Sequence, residues 1–430
     1  MELSDLKTTK MLGLCDCNNF FASCERVFNP SLENKPVVVL SNNDGCIIAR
    51  SNEAKALGIK MGQPLYQAKK IIESKDIAVF SSNYNLYGDM SNRVFDTIKA
   101  LTPMIEIYSI DEAFIDFSGI EIPKIDTLAR NLVRTVKRNV GIPVSIGIAP
   151  TKTLAKIASK LCKQYPKLGG VYILYKDEDI LKVLSKFPIN DVWGIGRRYT
   201  KLLNSYGVIT TEQFRKLSAT WVKDKMSIVG LRTWQELHKI PSIDLEENEK
   251  ERKSIMVSRS FAKELLSLDE LEEAITTFVS IAAKKLRDQN SLCTTGQVFI
   301  TTNRHREDKA QHVEGRIFCF SIPTDSTLDL VKKALATLRY IYKNNYEYKK
   351  AGVYLYDIVP KSQVQLSLFD ANTHSNHNTL MMAMDNITAR YGKNAIALAS
   401  ENKETSKSNR NYLSPQYTTK WSDILIVKAK

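Results

Sequence analysis

No run of apolar residues in this sequence is long enough to cross a bilayer, and the first residues lack the basic and hydrophobic segments of a signal peptide. We therefore expect a cytoplasmic protein with no membrane partner. Cysteine is scarce and odd in number, with seven in 430 residues. Cys15 and Cys17 have the spacing of a zinc half-site, but no matching Cys or His pair follows them. Strand alternation sends both to one face, so we interpret the cysteines as reduced structural thiols.

The length and charge of the chain indicate several domains and an anionic partner. A chain of 430 residues exceeds the size at which one hydrophobic core stops growing. Lysine and arginine outnumber aspartate and glutamate by 61 to 47, which gives a net charge of +14. Such an excess favours a polyanion such as nucleic acid as the partner.

The most informative feature is an adjacent acidic pair, Asp111 and Glu112, between the strand-like runs Met104–Ile110 and Ala113–Phe117. Neighbouring carboxylates beside apolar strands repel each other and lose hydration, so they protonate or need a cation. Asp16 ends a similar apolar run far upstream. A single acid of this kind is commonly a turn cap. Three at strand ends fit an enzyme that holds two Mg²⁺ ions for phosphoryl or nucleotidyl transfer.

Periodicity divides most of the chain into regions. The pattern predicts an α/β domain over 11–174, a helical module over 185–241, a charged linker over 246–253 and an α+β domain over 254–357. The polar stretch 372–378 contains His374 and His377, and we interpret it as a loop rather than a metal site.

Four lysines recur at helical spacing after the strand-like run 144–149. They are Lys152, Lys156, Lys160 and Lys163, and they line one helix face. The N-terminal members of this row are placed to meet a phosphate tail near the carboxylates. The alternative is the solvated face of an ordinary amphipathic helix.

A glycine turn lies in the helical module. Gly194 and Gly196 flank Ile195, and Arg197 and Arg198 follow directly. A helix-hairpin-helix would leave backbone N–H groups free there for a DNA phosphate, with the two arginines alongside. The alternative is an αα-hairpin that needs glycine only for its backbone dihedral angles.

Several of these segments together resemble the Y-family translesion DNA polymerases. The run 16–25 and the element 109–113 carry the resemblance, with 53–58 similar to the fingers motif and 147–158 to the palm helix. The match is co-linear from about residue 11 to 360. Four further segments resemble the UmuC type, the catalytic subunit of bacterial DNA polymerase V: 38–46, 81–84, 191–198 and 412–419.

The resemblance implies a multidomain fold of α/β and α+β parts, arranged as a right-hand polymerase. The implied domains are an N-terminal extension (1–10), the palm (11–35 and 81–174), the fingers (36–80), a helix-hairpin-helix thumb (175–245), a linker (246–253), the little finger (254–360), a clamp-binding peptide (361–370) and a C-terminal partner-binding tail (371–430). Residues 1–10 are either an extension or the product of an upstream start codon, since the subfamily usually begins as this chain does at Met11.

The resemblance also implies site residues. Asp16, Asp111 and Glu112 would hold two Mg²⁺ ions with the carbonyl of Cys17. The implied substrate-binding residues are Phe20, Phe21, Lys55 and Lys156, with Phe21 as the steric gate that excludes a 2′-hydroxyl. The implied DNA-binding residues are Lys152, Gly194, Gly196, Arg197 and Arg198. Ala49 and Asn52 stand where the family usually has a hydroxyl and a tyrosine near the phosphates.

The implied function is template-directed translesion synthesis in the SOS response, without proofreading. The segment Gln365, Leu366, Ser367, Leu368 and Phe369 resembles the peptide by which polymerases bind the sliding clamp. Its anchors would be Gln365, Leu366, Leu368 and Phe369. The implied partners are primer-template DNA, deoxynucleoside triphosphates, the clamp, a processed UmuD dimer and RecA. The implied location is the bacterial cytoplasm, at the nucleoid during DNA damage.

Two other functions fit part of the pattern. A nucleotidyl cyclase also places carboxylates, Mg²⁺ and a nucleotide on paired strands, but it has no use for a DNA-binding hairpin or a clamp peptide. A DNA-binding scaffold would have acids that are only structural. Mg²⁺-dependent extension of a primed template separates the three.

Overall fold

The computed structural model describes residues 10–102, 104–246, 251–363, 373–392, 395–402 and 407–426. The chain forms two compact units, one made of Met1–Glu249 with Arg410–Lys430 and the other of Lys250–Asn409. The second unit is therefore inserted between two segments of the first. The sequence suggested a single tail over 371–430, whereas the chain passes from one unit to the other within that range. In the described residues no helix is long and apolar enough to cross a membrane.

The first unit is built around a five-stranded sheet with β1 at its centre. The strands, in sheet order, are β5 Ile105–Ile107, β6 Glu112–Asp116, β1 Leu12–Cys17, β7 Val144–Ala149 and β8 Val171–Ile173. β1 pairs antiparallel with β6 and with β7, and all six of its residues are buried. A strand covered on both faces can be apolar throughout. The buried carboxylate of Asp16 is the exception in it.

Helices cover both faces of this sheet. They are α1 Phe20–Phe28, α4 Tyr84–Lys99, α5 Ile122–Val140 and α6 Lys152–Gln164. The first three share a core with Cys15 and Cys17, while α6 shares a core with Leu14 on the opposite face. The predicted common face of the two cysteines is confirmed, and all seven cysteines are free thiols.

A smaller sheet lies between α1 and α4 in the chain. Its strands, in sheet order, are β3 Ile47–Arg50, β2 Val37–Leu40 and β4 Ala78–Ser81, with helices α2 Asn52–Ala56 and α3 Leu65–Ser74. β2 and β3 pair antiparallel through the short 3-10 turn Asn42–Asp44, in which Asn43 has a positive φ of 62°. β2 and β3 therefore form a hairpin.

The helical module of the first unit contains four helices. They are α7 Asp177–Leu184, α8 Arg197–Ser205, α9 Thr211–Arg215 and α10 Ala219–Leu237. Leu203, Phe214 and Val222 from these helices bury their side chains in one core with Leu154 of α6. This module is therefore continuous with the sheet rather than a separate body.

The second unit is an antiparallel sheet with helices on one face, as the sequence predicts. Its strands, in sheet order, are β11 Val313–Thr324, β10 Ser291–Thr302, β12 Tyr348–Pro360 and β9 Ile255–Leu265. The helices α11 Leu268–Asp288 and α12 Thr327–Ile341 form its core with the inner face of the sheet.

A further helix, α13 Thr373–Tyr391, corrects the prediction of a loop over 372–378. Asp385 in α13 accepts two hydrogen bonds from Arg287 of α11, at 2.7 and 3.0 Å. Met381 is buried, and its sulfur accepts a hydrogen bond from the backbone N of Thr327. Tertiary contacts of this kind stabilise a helix that has little apolar periodicity of its own.

Gly147 in β7 lies against α6 at a distance that no side chain would allow. A Cβ at this position would lie 1.9 Å from the backbone N of Ser159. Because that neighbour is backbone, the helix itself would have to move. We expect Gly147→Ala to lower the free energy of unfolding by about 3 kcal/mol or more, measured by urea denaturation.

A matched control is Gly88 inside α4, where a Cβ would meet nothing within 4 Å. We expect Gly88→Ala to leave stability unchanged or to raise it by up to about 1 kcal/mol, since alanine is the better helix former. Equal denaturation midpoints for the two variants would contradict the close approach of β7 and α6.

Candidate active site

The register of two strands brings the predicted carboxylates together. Asp16 at the end of β1 lies opposite Glu112, the first residue of β6. The backbone N of Cys17 donates to the carbonyl oxygen of Asp111 at 2.8 Å, which extends the pairing by one more residue. The three acidic residues therefore lie side by side on two neighbouring strands, at one end of the sheet.

A tight turn at Ser109 orients the acidic pair. The Ser109 hydroxyl accepts hydrogen bonds from the backbone N of Asp111, at 3.2 Å, and of Glu112, at 3.0 Å. It donates to Oδ1 of Asp111 at 2.7 Å. This turn ends β5 at Ile107, so the strand is shorter than the predicted run to Ile110.

Two lysines from α6 neutralise the carboxylates. The Nζ of Lys163 contacts Oδ1 of Asp16, and the Nζ of Lys156 lies 2.9 Å from Oε2 of Glu112. The Lys156 ammonium also lies 4.5 Å from the centre of the Tyr108 ring. Among the described residues, no three acidic, cysteine or histidine side chains converge closely enough to hold an ion in this arrangement. The ammonium groups supply the positive charge that these acids require.

Burial makes the charged form of Asp16 costly. Burial raises the pKa of Asp16 to about 6, and the contact with Lys163 acts in the opposite direction. The residue is only 9 % exposed. A cation beside it therefore stabilises the charged form strongly.

A cleft of about 220 Å³ opens beside Asp16 and Asp111. Its lining residues are Asp16, Cys17, Asn19, Phe20, Phe21, Ile48, Ala49, Arg50, Lys55, Met61, Asp111 and Lys163. Six of the predicted site residues are among them. Glu112 and Lys156 line an adjacent cavity that shares Asp16 and Lys163 with the first. The carboxylates thus stand between the two cavities.

The far wall of the cleft carries a second cation. The Nζ of Lys55 donates to Oδ1 of Asn19 at 2.5 Å, and burial, with the nearby charge of Arg50, lowers the pKa of Lys55. Asn19 has a positive φ of 49° at the start of α1. Sequence reasoning did not single out Asn19 or Arg50. The position of Asn19 at a junction between a strand and a helix could have indicated its role.

The ring of Phe21 has a fixed support. It stacks on the ring of Tyr87 from α4, with centroids 4.4 Å apart and planes 14° apart. The Tyr87 hydroxyl donates to Oε1 of Glu25 at 2.6 Å. Burial raises the pKa of Glu25 to about 7, against the effect of its hydrogen bonds from Tyr87 and Ser414. Neither Tyr87 nor Glu25 was predicted as part of the site.

Family models match most of the described fold. The impB/mucB/samB family matches residues 15–160, and the C-terminal domain of that family matches 252–368. The chain belongs to the impB/mucB/samB family. The helix-hairpin-helix motif of the family matches 177–208, and a model described only as a domain of unknown function matches 378–427.

Members of the family are similar to the chain over nearly its whole length. Protein ImpB of Salmonella typhimurium is 38% identical, over 97% of this chain and 100% of that protein. Protein UmuC of Salmonella typhimurium (strain LT2) is 37% identical over the same shares. DNA polymerase IV of Oceanobacillus iheyensis is 27% identical, over 95% of this chain and 96% of that protein. The predicted UmuC type is confirmed.

Solved structures confirm the fold of this impB/mucB/samB member. A Y-family DNA polymerase chimera of Dbh and Dpo4 has a TM-score of 0.65 at 22% identity, over 81% of this chain and 99% of that one. The insertion ternary complex of Dbh DNA polymerase has a TM-score of 0.55 with the same identity and shares. The predicted right-hand polymerase fold, with palm, thumb and little finger, is confirmed.

Family membership also confirms the predicted enzyme class. The chain is a DNA-directed DNA polymerase of the translesion type. Neither of the alternatives, a nucleotidyl cyclase or a non-catalytic scaffold, is supported by these similarities.

The predicted DNA-binding turn of this family member is exposed. Gly194 has a positive φ of 87°, and a Cβ there would lie 2.8 Å from Oγ1 of Thr233. Gly196 caps α8, and Arg197 and Arg198 begin that helix with exposed side chains. A short 3-10 turn, Ile189–Asp191, rather than a long helix, precedes the glycines.

Lys152 does not present its charge to DNA, and this corrects its predicted role. The residue is 2% exposed, and its Nζ lies 2.6 Å from Oε2 of Glu106 and 2.8 Å from the carbonyl oxygen of Asp244. Burial of this ammonium group against a carboxylate and a carbonyl leaves it inaccessible to a DNA phosphate. The predicted clamp residues Gln365, Leu366, Leu368 and Phe369 lie outside the described residues.

Proposed function

We propose that the carboxylates of Asp16, Asp111 and Glu112 hold two Mg²⁺ ions in the polymerase reaction. The donor set fits this hard cation, because the carboxylate oxygens and the carbonyl oxygen of Cys17 are all oxygen ligands. The register that places Asp16 opposite Glu112 is the observation that carries the proposal. When bound, such ions supply activation of the primer 3′-hydroxyl and neutralise the charge of the triphosphate.

The lysines around the carboxylates bind the anionic parts of the substrate. Lys55 faces the carboxylates across the cleft, where the triphosphate of an incoming deoxynucleotide would lie. Lys156 and Lys163 each contact one carboxylate. Both therefore have a partner to exchange for phosphate oxygens when the substrate arrives. Their spacing on α6 keeps the two ammonium groups on the same side of the sheet.

The two aromatic residues at the start of α1 select the sugar. Both residues line the cleft, where Phe20 is buried and Phe21 is half-buried. The stacked Tyr87 stands behind Phe21, so the ring cannot retreat from a sugar placed against it. A 2′-hydroxyl on that sugar would clash with the ring. Phe21 is thus the steric gate.

Contacts to primer-template DNA come from the exposed turn before α8. Gly196 leaves backbone N–H groups at the start of the helix open to a phosphate, and Arg197 and Arg198 add two charges. Such contacts are independent of base sequence, which suits a polymerase that must accept damaged template.

The regulatory part of the proposal rests on similarity to Protein UmuC. Synthesis would occur without proofreading in the SOS response, in the bacterial cytoplasm at the nucleoid. A processed UmuD dimer and RecA would be partners of the catalytic chain. The sliding clamp would bind the segment 365–369.

The metal assignment predicts the effect of removing a carboxylate. We expect Asp111→Ala and Glu112→Ala to reduce nucleotide incorporation to about 1% of the parent rate or less, because charge stabilisation in the transition state is lost. Primer-template affinity should stay nearly unchanged, since it depends on basic residues elsewhere. Primer extension and fluorescence anisotropy measure the two quantities.

The control is Asp116→Ala at the other end of β6, where Asp116 lies opposite Leu12. This variant removes one carboxylate from the same strand and should retain activity. Activity above a few per cent in either Asp111→Ala or Glu112→Ala would refute the two-metal assignment.

The steric gate predicts a change in sugar selectivity. We expect Phe21→Ala to raise ribonucleotide use relative to deoxynucleotide use on the order of 100-fold, measured as the ratio of kcat/KM values. The matched control is Phe21→Tyr, which keeps a ring in place and should keep the parent ratio. If Phe21→Ala also keeps the parent ratio, the residue belongs only to the core.

The clamp peptide predicts a loss of binding with no loss of catalysis. Replacing Leu368 and Phe369 by alanine removes two apolar anchors, at about 1.5–3 kcal/mol each if they are fully buried in the clamp. Calorimetry should then detect almost no clamp binding, while extension of short templates is unchanged. The control is Ser367→Ala in the same peptide. Equal affinities for parent and double variant would contradict the assignment.

A further inference from the structure

The end of the chain returns to the first unit and packs against it at two places. We call residues Tyr412–Tyr417 the strap. At its first end, the backbone N of Tyr412 donates to Oγ of Ser81 at 3.0 Å, and the backbone N of Ser81 donates to the carbonyl oxygen of Tyr412 at 2.9 Å. The preceding backbone N of Asn411 donates to Oδ2 of Asp44 at 2.7 Å. The strap is therefore bound to the end of β4 in the smaller sheet.

At its second end the strap contacts α1 and the start of α4. The Nδ2 of Asn83 donates to the hydroxyl of Ser414 at 3.0 Å and to its carbonyl oxygen at 3.2 Å. The ring of Tyr417 stacks on Phe28 of α1, with centroids 4.7 Å apart. Ser414 is 6% exposed, so this contact is buried rather than a loose surface association.

A chain of contacts leads from the strap to the predicted steric gate. The Ser414 hydroxyl donates to Oε1 of Glu25 at 3.0 Å. The same oxygen accepts from the Tyr87 hydroxyl at 2.6 Å, and the Tyr87 ring stacks on Phe21. Glu25 is 2% exposed and Tyr87 is fully buried. Because Phe21 and Glu25 are one helical turn apart, they lie on the same face of α1.

The hydrogen bond from Ser414 helps to satisfy the buried carboxylate of Glu25. A buried carboxylate is costly unless hydrogen bonds satisfy it, and one of the two side-chain donors to Oε1 of Glu25 comes from the strap. Without the Ser414 donor, Oε1 of Glu25 keeps only the hydrogen bond from the Tyr87 hydroxyl, and the geometry of that hydrogen bond changes. The Tyr87 ring would then no longer hold Phe21 in one position.

We propose that the strap is a positioning element for sugar selection, in which Ser414 fixes Glu25, Glu25 fixes Tyr87 and Tyr87 supports Phe21. This inference rests on the proposed role of Phe21 as the steric gate. It assigns a role to part of the segment that the family models match as a domain of unknown function. Ser414, Glu25 and Tyr87 are not among the residues that line the cleft, and they act through Phe21.

The test compares two substrates that differ only in the 2′-hydroxyl. We expect Ser414→Ala in the full chain to raise ribonucleotide use relative to deoxynucleotide use about five- to tenfold, which corresponds to the loss of one ordinary hydrogen bond. The kcat/KM for deoxynucleotides should change less than about twofold. A variant that is merely less stable would lose activity on both substrates equally, so the ratio isolates the positioning effect.

Two variants of equal volume isolate the hydroxyl. Ser414→Thr keeps a donor and should keep the parent ratio, whereas Ser414→Val lacks the donor and should behave as Ser414→Ala. The control in the same part of the chain is Ser422→Ala, an exposed residue whose hydroxyl donates to Asp423 and not to Glu25. This control should keep the parent ratio. The Thr and Val pair also serves if Ser414→Ala fails to fold.

A double variant connects the strap to the gate. If Ser414 acts through Phe21, adding Ser414→Ala to Phe21→Ala should cause no further change in the ratio, because the ring to be positioned is gone. A further loss of selectivity in the double variant would overturn the inference. So would a parent ratio in both Ser414→Ala and Ser414→Val while Phe21→Ala shifts it. If Phe21→Ala itself keeps the parent ratio, the steric-gate assignment fails, and this inference fails with it.

Discussion

The pairing of β1 with β6 is the constraint on which the rest of the site depends. It places Asp16 opposite Glu112 inside a sheet that is buried on both faces. Two carboxylates so close, with one of them only 9% exposed, would be unstable without nearby positive charge. The helix α6 meets this demand, since Lys156 and Lys163 reach the two acids from one of its faces. Charge balance therefore links the sheet to the helix that covers it.

The distance between α6 and the sheet determines whether Lys156 and Lys163 can contact the acids. Gly147 allows the backbone of β7 to approach the backbone of α6 near Ser159, closer than any side chain would permit. The helix therefore packs close to the strands, and the ammonium groups of Lys156 and Lys163 reach the acids at the strand ends. The close contact between β7 and α6 therefore explains two features. It requires a glycine at position 147, and it places the lysine ammonium groups beside the acids.

Local sequence patterns predicted the helices, the strands and the three acidic residues, but not the tertiary contacts of individual side chains. The triad of Asp16, Asp111 and Glu112 was accessible because each follows or interrupts an apolar strand. Lys152 and Lys156 share a helix face and were predicted to bind DNA and the substrate, yet Lys152 is buried on Glu106. Helical periodicity predicts which residues share a helix face, but it does not predict which residues of other elements they contact. The loop predicted over 372–378 is wrong for the same reason, because contacts of α13 with α11 and α12 decide that segment.

The strap shows how one polar side chain couples distant parts of the chain. Asn83 and Ser414 are 331 residues apart, and no local signal in either stretch indicates the other. Asn83 caps α4, since its Oδ1 accepts from the backbone N of Leu86, while its Nδ2 binds Ser414. The amide thus anchors the helix that carries Tyr87 and holds the hydroxyl that reaches Glu25. Support for the ring of Phe21 therefore comes from both ends of the sequence. In our proposal, the sugar selectivity of the cleft therefore depends on a segment that follows the inserted second unit in the chain.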